Sequence, residues 1–261
     1  MSASDFCRSL SSFCETLIEN DLALGLQSHV VRPVNGGVSR VSWLPSLSLA
    51  AEGDEGGYLR TADLELAEYL RCLRSGDYSL LLNDGGLIQV SLDFRGDDVV
   101  ASRFCYIPCV VKFDVNEIRI EDEVYPIEDF ILEMAHEELI SRLCLRTPFR
   151  FEHDPTNASD EHALNHVHLG KSASRVPVSA AMCWDHFARF VFSNFYPDVF
   201  AQVSHLLRFP PPYRPRTITD AHSQEVHFAF HFAEPAAGTG DRRIELPRRA
   251  ERAGRNRPGR N

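Results

Sequence analysis

The 261-residue chain carries 37 acidic and 27 basic side chains, a formal net charge of −10 and a hydrophobic fraction of 44%. That fraction suffices for the buried core of one large or two small domains and excludes a wholly disordered or fibrous chain. No stretch approaches the ~18 uninterrupted apolar residues of a membrane helix, and the first ten residues carry Asp5 with no basic-then-apolar leader pattern, so a cytoplasmic protein without membrane contact is expected.

Taken in chain order, Phe6, Leu10, Phe13, Leu17 and Ile18 recur at helical spacing, which predicts an amphipathic helix over 4–20 with Ser4 as its N-cap. Val30-Val31 and Val38–Trp43 flank Asn35-Gly36-Gly37, a turn sequence able to supply the positive φ angles of a tight hairpin. Residues 50–57 read as a loop, and Thr61 followed by Leu64, Leu66, Tyr69, Leu70 and Leu73 predicts a second helix ending at Ser75-Gly76. The period then changes to two. Tyr78–Leu82, Asn83-Asp84-Gly85-Gly86 and Leu87–Phe94 read as strand, turn and strand, with one apolar face. Val99–Ile107 predicts a third strand stopped by Pro108, and Glu117–Ile120 a fourth.

Ile127–Leu143 has helical spacing, whereas Leu145–Glu152, His166–Leu169 and Arg175–Val178 read as strands. Trp184, Phe187, Phe190, Val191 and Phe195 recur every three or four residues, the core face of a helix. Phe209–Pro215 is proline-rich and expected to be extended. Val226, Phe228 and Phe230 alternate with polar or small residues and predict a last strand. Short Gly-containing turns between sequential strands favour antiparallel pairing. The expected fold is therefore α+β, a mainly antiparallel sheet with flanking helices.

From Pro235 onward the composition changes. Arg242, Arg243, Arg248, Arg249, Arg252, Arg255, Arg257 and Arg260 stand against Asp241, Glu245 and Glu251, eight charges less three or +5, which leaves −15 on the preceding 234 residues. Gly, Pro and Arg without apolar periodicity cannot offset an ordering entropy of ~1–2 kcal/mol per residue. The reading is an N-terminal helix and hairpin region over 1–60, a main α+β domain over 61–232 and a disordered Arg-rich tail over 233–261. Closely spaced Arg release counterions on binding phosphate, so the eight tail arginines are candidate nucleic-acid contacts.

The chemistry-bearing segment is 149–170, where four of the eleven histidines, His153, His162, His166 and His168, lie among Glu152, Asp154 and Asp160. Imidazoles beside carboxylates can bind Zn²⁺, Mn²⁺ or Fe²⁺ or act as an acid–base pair. In a strand, His166 and His168 share one face. His162, His166, His168 and Asp154 are the candidate ligands of a divalent metal. No zincin motif, P-loop or G-x-S-x-G elbow occurs, and the seven cysteines form no C-x-x-C pair, which points to buried thiols.

The ordered motifs 78–90, Arg103 to Pro108, Arg150 to Pro155, His162 to Gly170, Arg175 to Val178 and Phe190 to Pro197 resemble a prokaryotic family of uncharacterised proteins, domain of unknown function 2290, over about residues 60–232. The resemblance implies a bacterial protein with no established activity, and a family in which a hydroxyl residue is common at position 168. It leaves Arg150, Asp154, His162, His166 and Arg175 as the stronger catalytic candidates.

Three functions follow as expectations. The first is an accessory or recognition component of a bacterial defence or mobile-element system, binding a protein partner from the same locus or nucleic acid through the tail. The second is a small phosphodiesterase or ribonuclease in which His162 and His166 exchange protons while Arg150 and Arg175 stabilise charge on the phosphorane-like transition state. The third is a structural oligomer subunit.

Overall fold

A computed structural model describes residues 1–44, 66–120, 123–159, 162–170, 174–207, 216–224 and 226–229. The predicted loop at 50–57, the start of the second helix at 61–65, the Phe209–Pro215 segment, Asp160 and the tail arginines lie outside the described residues. So does the tail itself.

The strands are β1 (Ala23–Leu26), β2 (His29–Val34), β3 (Val38–Trp43), β4 (Leu80–Leu82), β5 (Leu87–Arg95), β6 (Asp98–Ile107), β7 (Arg119–Ile120), β8 (Glu123–Val124), β9 (Phe149–His153), β10 (Asn165–Leu169) and β11 (Arg175–Pro177). Nine of them form one sheet, and every pairing between these strands is antiparallel. β5 is the hub. One side pairs along its length with β6, followed by β9, β10 and β11. Its other side is shared, β4 pairing at Leu87 and Ile88 and β3 at Leu92 to Phe94, so the sheet forks there. β1 extends the first branch and β2 the second. The N-terminal region and the main domain thus share one sheet.

Strand parity sorts the side chains, because directly opposed residues project to the same face. Ile88, Val90, Leu92 and Phe94 of β5 align with Phe104 and Tyr106 of β6, Phe149 and Phe151 of β9 and Val167 of β10. This face packs on α1 (Ala3–Glu19) and on the helix Trp184–Phe195 to form the main core. α1 buries Phe6, Leu10, Phe13 and Leu17 as its spacing predicts, but its N-cap is Ser2, which forms a capping box with Asp5, and not Ser4. Starting earlier brings Ala3 into the buried face.

The other sheet face carries Leu87, Cys105 and Ile107 at one end. There a second core forms with α2 (Leu66–Ser75) and the segment from Cys109 to Ile131. β5 is accordingly buried on both faces, with Gln89 and Ser91 buried as well, and this corrects the expectation of a single apolar face. Gln89 donates to the Asp77 carbonyl, though its Oε1 has no partner among the described residues, and Trp43 donates from its indole to the Asp77 carboxylate. The Asp84-Gly85-Gly86 turn is also packed from within. A Cβ on Gly85, which holds φ +81, would lie 2.7 Å from the Tyr69 hydroxyl.

Three elements depart from their periodicity. Ile127–Leu143 is two short helices, α3 (Ile127–Glu133) and α4 (His136–Arg142), because Met134 and Ala135 take extended ψ values of 137° and 145°. Glu117–Ile120 is the end of a 3-10 turn followed by two-residue β7, which pairs only with β8. Over the described residues 226–229 no strand of the expected last element forms: Phe228 makes one isolated parallel bridge to Val178, and Val226 is exposed. The aromatic helix, α5 (Trp184–Phe195), is followed by α6 (Pro197–Val203), whose first residue is the proline, and by the single turn α7 (Asp220–Ser223). All seven cysteines are free thiols, five of them buried. Among the described residues no helix is long and apolar enough to cross a membrane.

Candidate metal centre

On the second sheet face, beyond Cys105, the apolar side chains give way to charged ones. Register places Arg103 of β6, Glu152 of β9, His166 of β10 and Pro177 of β11 in one cross-strand row. The next row on the same face is Cys105, Arg150, His168 and Arg175. Two residues of spacing in each strand therefore bring Arg150 next to Glu152 and His166 next to His168. Antiparallel pairing then sets the acid against the two imidazoles.

The side chains converge. Glu152 Oε2 lies 3.1 Å from His166 Nε2 and 3.3 Å from His168 Nε2, and the two Nε2 atoms are 3.0 Å apart. These distances are also those of a metal coordination shell: ligand atoms bound at about 2.0–2.1 Å stand about 3.0 Å apart at octahedral angles and about 3.3 Å apart at tetrahedral ones. His166 and His168 are almost fully buried and Glu152 nearly so. Among the described residues this is the one group of three or more His, Cys, Asp or Glu side chains so arranged.

The outer contacts orient the ligand atoms. His166 Nδ1 lies 2.9 Å from the Ala163 carbonyl, which can only accept, so Nδ1 carries a hydrogen and Nε2 is the nitrogen turned to the cluster. Glu152 Oε1 is held by Arg150 Nε at 2.8 Å and by Arg103 Nε at 3.4 Å, which leaves Oε2 as the inward oxygen. Burial by itself would raise the Glu152 carboxyl, but its contacts with His166 and His168 and the Arg150 charge outweigh burial and hold it well below the usual carboxylate range. Burial lowers the His168 pKa despite the Glu152 contact, which favours the neutral ring.

Where His166 Nε2 carries no hydrogen, an ionised Oε2 facing it is a repulsive contact, which a proton on an imidazole or a cation between the three atoms would relieve. A cation between the three atoms would be met by one carboxylate oxygen and two imidazole nitrogens.

The other candidate residues fall around this group. His162 packs edge-on against His166 at 4.6 Å between ring centroids, and its Nε2 is buried with no hydrogen-bond partner among the described residues. Burial, then the nearby His166 and Arg175, lower its pKa. Arg175 is exposed opposite His168. Asp154 has a local structural role. Its carboxylate accepts from the backbone N–H of Thr156 and Asn157 and from the Asn157 amide, closing the turn after β9. His153 projects to the opposite face, where Nδ1 meets the Asn165 amide oxygen.

Of the ligand set expected from sequence, His166 and His168 converge, His162 borders them and Asp154 does not join. Glu152 takes its place. Its parity with Arg150 was the available signal, but the sequence does not say which strand β9 faces.

Neither a curated protein nor a solved structure matches the chain. The model of one family, described as an uncharacterized conserved protein (DUF2290), matches residues 41–230. That span begins within β3 and takes in both rows of the centre as well as both helices that flank it in sequence, and the chain belongs to this family.

Proposed function

We propose that the protein binds one divalent first-row transition-metal ion through Glu152 Oε2, His166 Nε2 and His168 Nε2 and acts as a metal-dependent hydrolase. The observation that carries this reading is the triangle of three inward ligand atoms with edges of 3.0–3.3 Å, one of them an imidazole nitrogen oriented by a backbone carbonyl. Two histidines and one carboxylate form a ligand set common to catalytic zinc and iron sites, and three protein ligands leave positions for water and substrate. A water on such an ion has its pKa lowered to about 7. His162, beside His166 and with an unpartnered Nε2, would accept its proton.

Metal uptake tests the reading directly. The full chain, stripped with chelator, should take up one equivalent of Zn²⁺ or Co²⁺, and Glu152→Gln and His168→Ala should each weaken binding by about 100-fold or more. Asp154→Asn should leave the affinity unchanged, since that carboxylate serves the turn. Failure of Zn²⁺, Co²⁺, Mn²⁺ and Fe²⁺ all to bind stoichiometrically would sink the proposal and leave a proton-linked structural cluster.

A second reading is supported by the charge division of the chain, +5 over residues 235–261 against −15 before them. In it the protein is a cytoplasmic recognition component of a bacterial defence or mobile-element system whose tail arginines contact nucleic acid or an acidic partner. The two readings are compatible, since the tail and the centre are separate parts of the chain.

A further inference from the structure

We infer that the substrate of this centre bears a phosphate ester, seated between Arg103 and Arg175. The inference rests on the metal reading and adds to it the class of group that the site accepts.

Charge supplies the first argument. Among the described residues around the triad, Arg103, Arg150 and Arg175 stand against Glu152 and Asp154, a net charge of +1 that becomes +3 with a divalent ion. Asp154 is already engaged by three turn donors, and Glu152 is shared by two arginines and two histidines. Positive charge of that size in a largely buried site calls for an anionic partner.

The arginines also differ in availability. Arg150 is engaged internally, since its side chain is buried and its Nε lies 2.8 Å from Glu152 Oε1. Arg103 makes a looser 3.4 Å contact with that oxygen and its side chain is 38% exposed. Arg175 is exposed.

Placement supplies the second argument. Arg103 lies one strand before Glu152, and Arg175 one strand beyond His168, so the two residues stand on either side of the ligand triangle in the sheet. Three strand spacings and a two-residue offset separate their backbones by roughly 16 Å, most of which two arginine side chains of about 6–7 Å can span to meet a small anion. A tetrahedral phosphate has enough oxygens to meet the ion and both arginine forks at once, whereas a carboxylate has two. Hydrolysis there adds the water oxygen to phosphorus and breaks the ester P–O bond, and the departing alcohol takes one of the water protons.

Cobalt-loaded protein gives the test, because the Co²⁺ visible spectrum reports both metal uptake and ligand entry. Inorganic phosphate should perturb the spectrum of the loaded full chain at concentrations at least about 10-fold lower than acetate does. Arg175→Gln and Arg103→Gln should each weaken the phosphate effect by about 10-fold or more, and Arg175→Gln should take up Co²⁺ as the parent does. Bis-p-nitrophenyl phosphate should be hydrolysed with a raised KM in Arg175→Gln.

Absence of Co²⁺ uptake by the parent would overturn the metal reading and this inference with it. Normal uptake with acetate binding as tightly as phosphate would overturn the inference alone. Equal phosphate binding by the parent and both variants would do the same.

Discussion

His29 is a residue whose burial has a measurable cost. It lies in β2 opposite Trp43, both ring nitrogens are buried without a hydrogen-bond partner among the described residues, and burial pulls its pKa from 6.5 down to about 4. Between those values the unfolded chain binds a proton that the folded chain refuses. Stability present above pH 6.5 therefore declines on acidification, and the loss is complete below about pH 4. At about 1.4 kcal/mol per pKa unit the loss is bounded near roughly 3 kcal/mol. His29→Leu should therefore flatten the dependence of the urea midpoint on pH between 7 and 4. An unchanged slope in that variant would place the acid sensitivity elsewhere. Glu152 shows the opposite environment, a buried carboxyl kept ionised by the cations and imidazoles that surround it.

At the scale of elements, α5 tests how the aromatic stripe is used. The spacing treats Phe187, Phe190 and Phe195 alike, but Phe187 is fully buried against Phe104 and Phe151, Phe190 is partly buried, and Phe195 is 48% exposed although its ring stacks on Tyr106. Phe187→Ala should cost about 3–5 kcal/mol and Phe190→Ala less than half of that, read from urea unfolding of the full chain. Equal losses would mean that Phe190 is as enclosed as Phe187. The difference arises because a 3.6-residue period identifies a face and not its edges, and the width covered depends on the sheet beneath. The same limit explains Ile127–Leu143. Apolar positions continue in phase across Met134 and Ala135, and nothing in that spacing records a break in the backbone.

For the whole molecule, the uneven charge invites a test of the tail. Truncation after Ala233 removes eight arginines and should leave the melting temperature nearly unchanged, since a segment of that composition buries little apolar area. If the recognition reading holds, the same truncation should weaken nucleic-acid binding and lower its salt dependence by about 0.9 in log–log slope for each phosphate that the tail neutralises. A fall of several degrees in Tm would instead show the tail bound to the acidic body.

Local order along the chain was legible in the sequence because periods of two and 3.6, N-G-G and D-G-G turns and stops such as Pro108 act over a few residues. These signals predicted α1 with its Phe6, Leu10, Phe13 and Leu17 face, the β2–β3 and β4–β5 turns, β10 and the antiparallel α+β class. Parity alone also put His166 and His168 on one face. The tertiary structure decided which strands became neighbours. Only the β9–β10 register sets Glu152 against His166, and only the second core buries the far face of β5. Pairing across loops depends on chain closure and on the packing of both sheet faces, non-local terms for which no short stretch of sequence carries a signal.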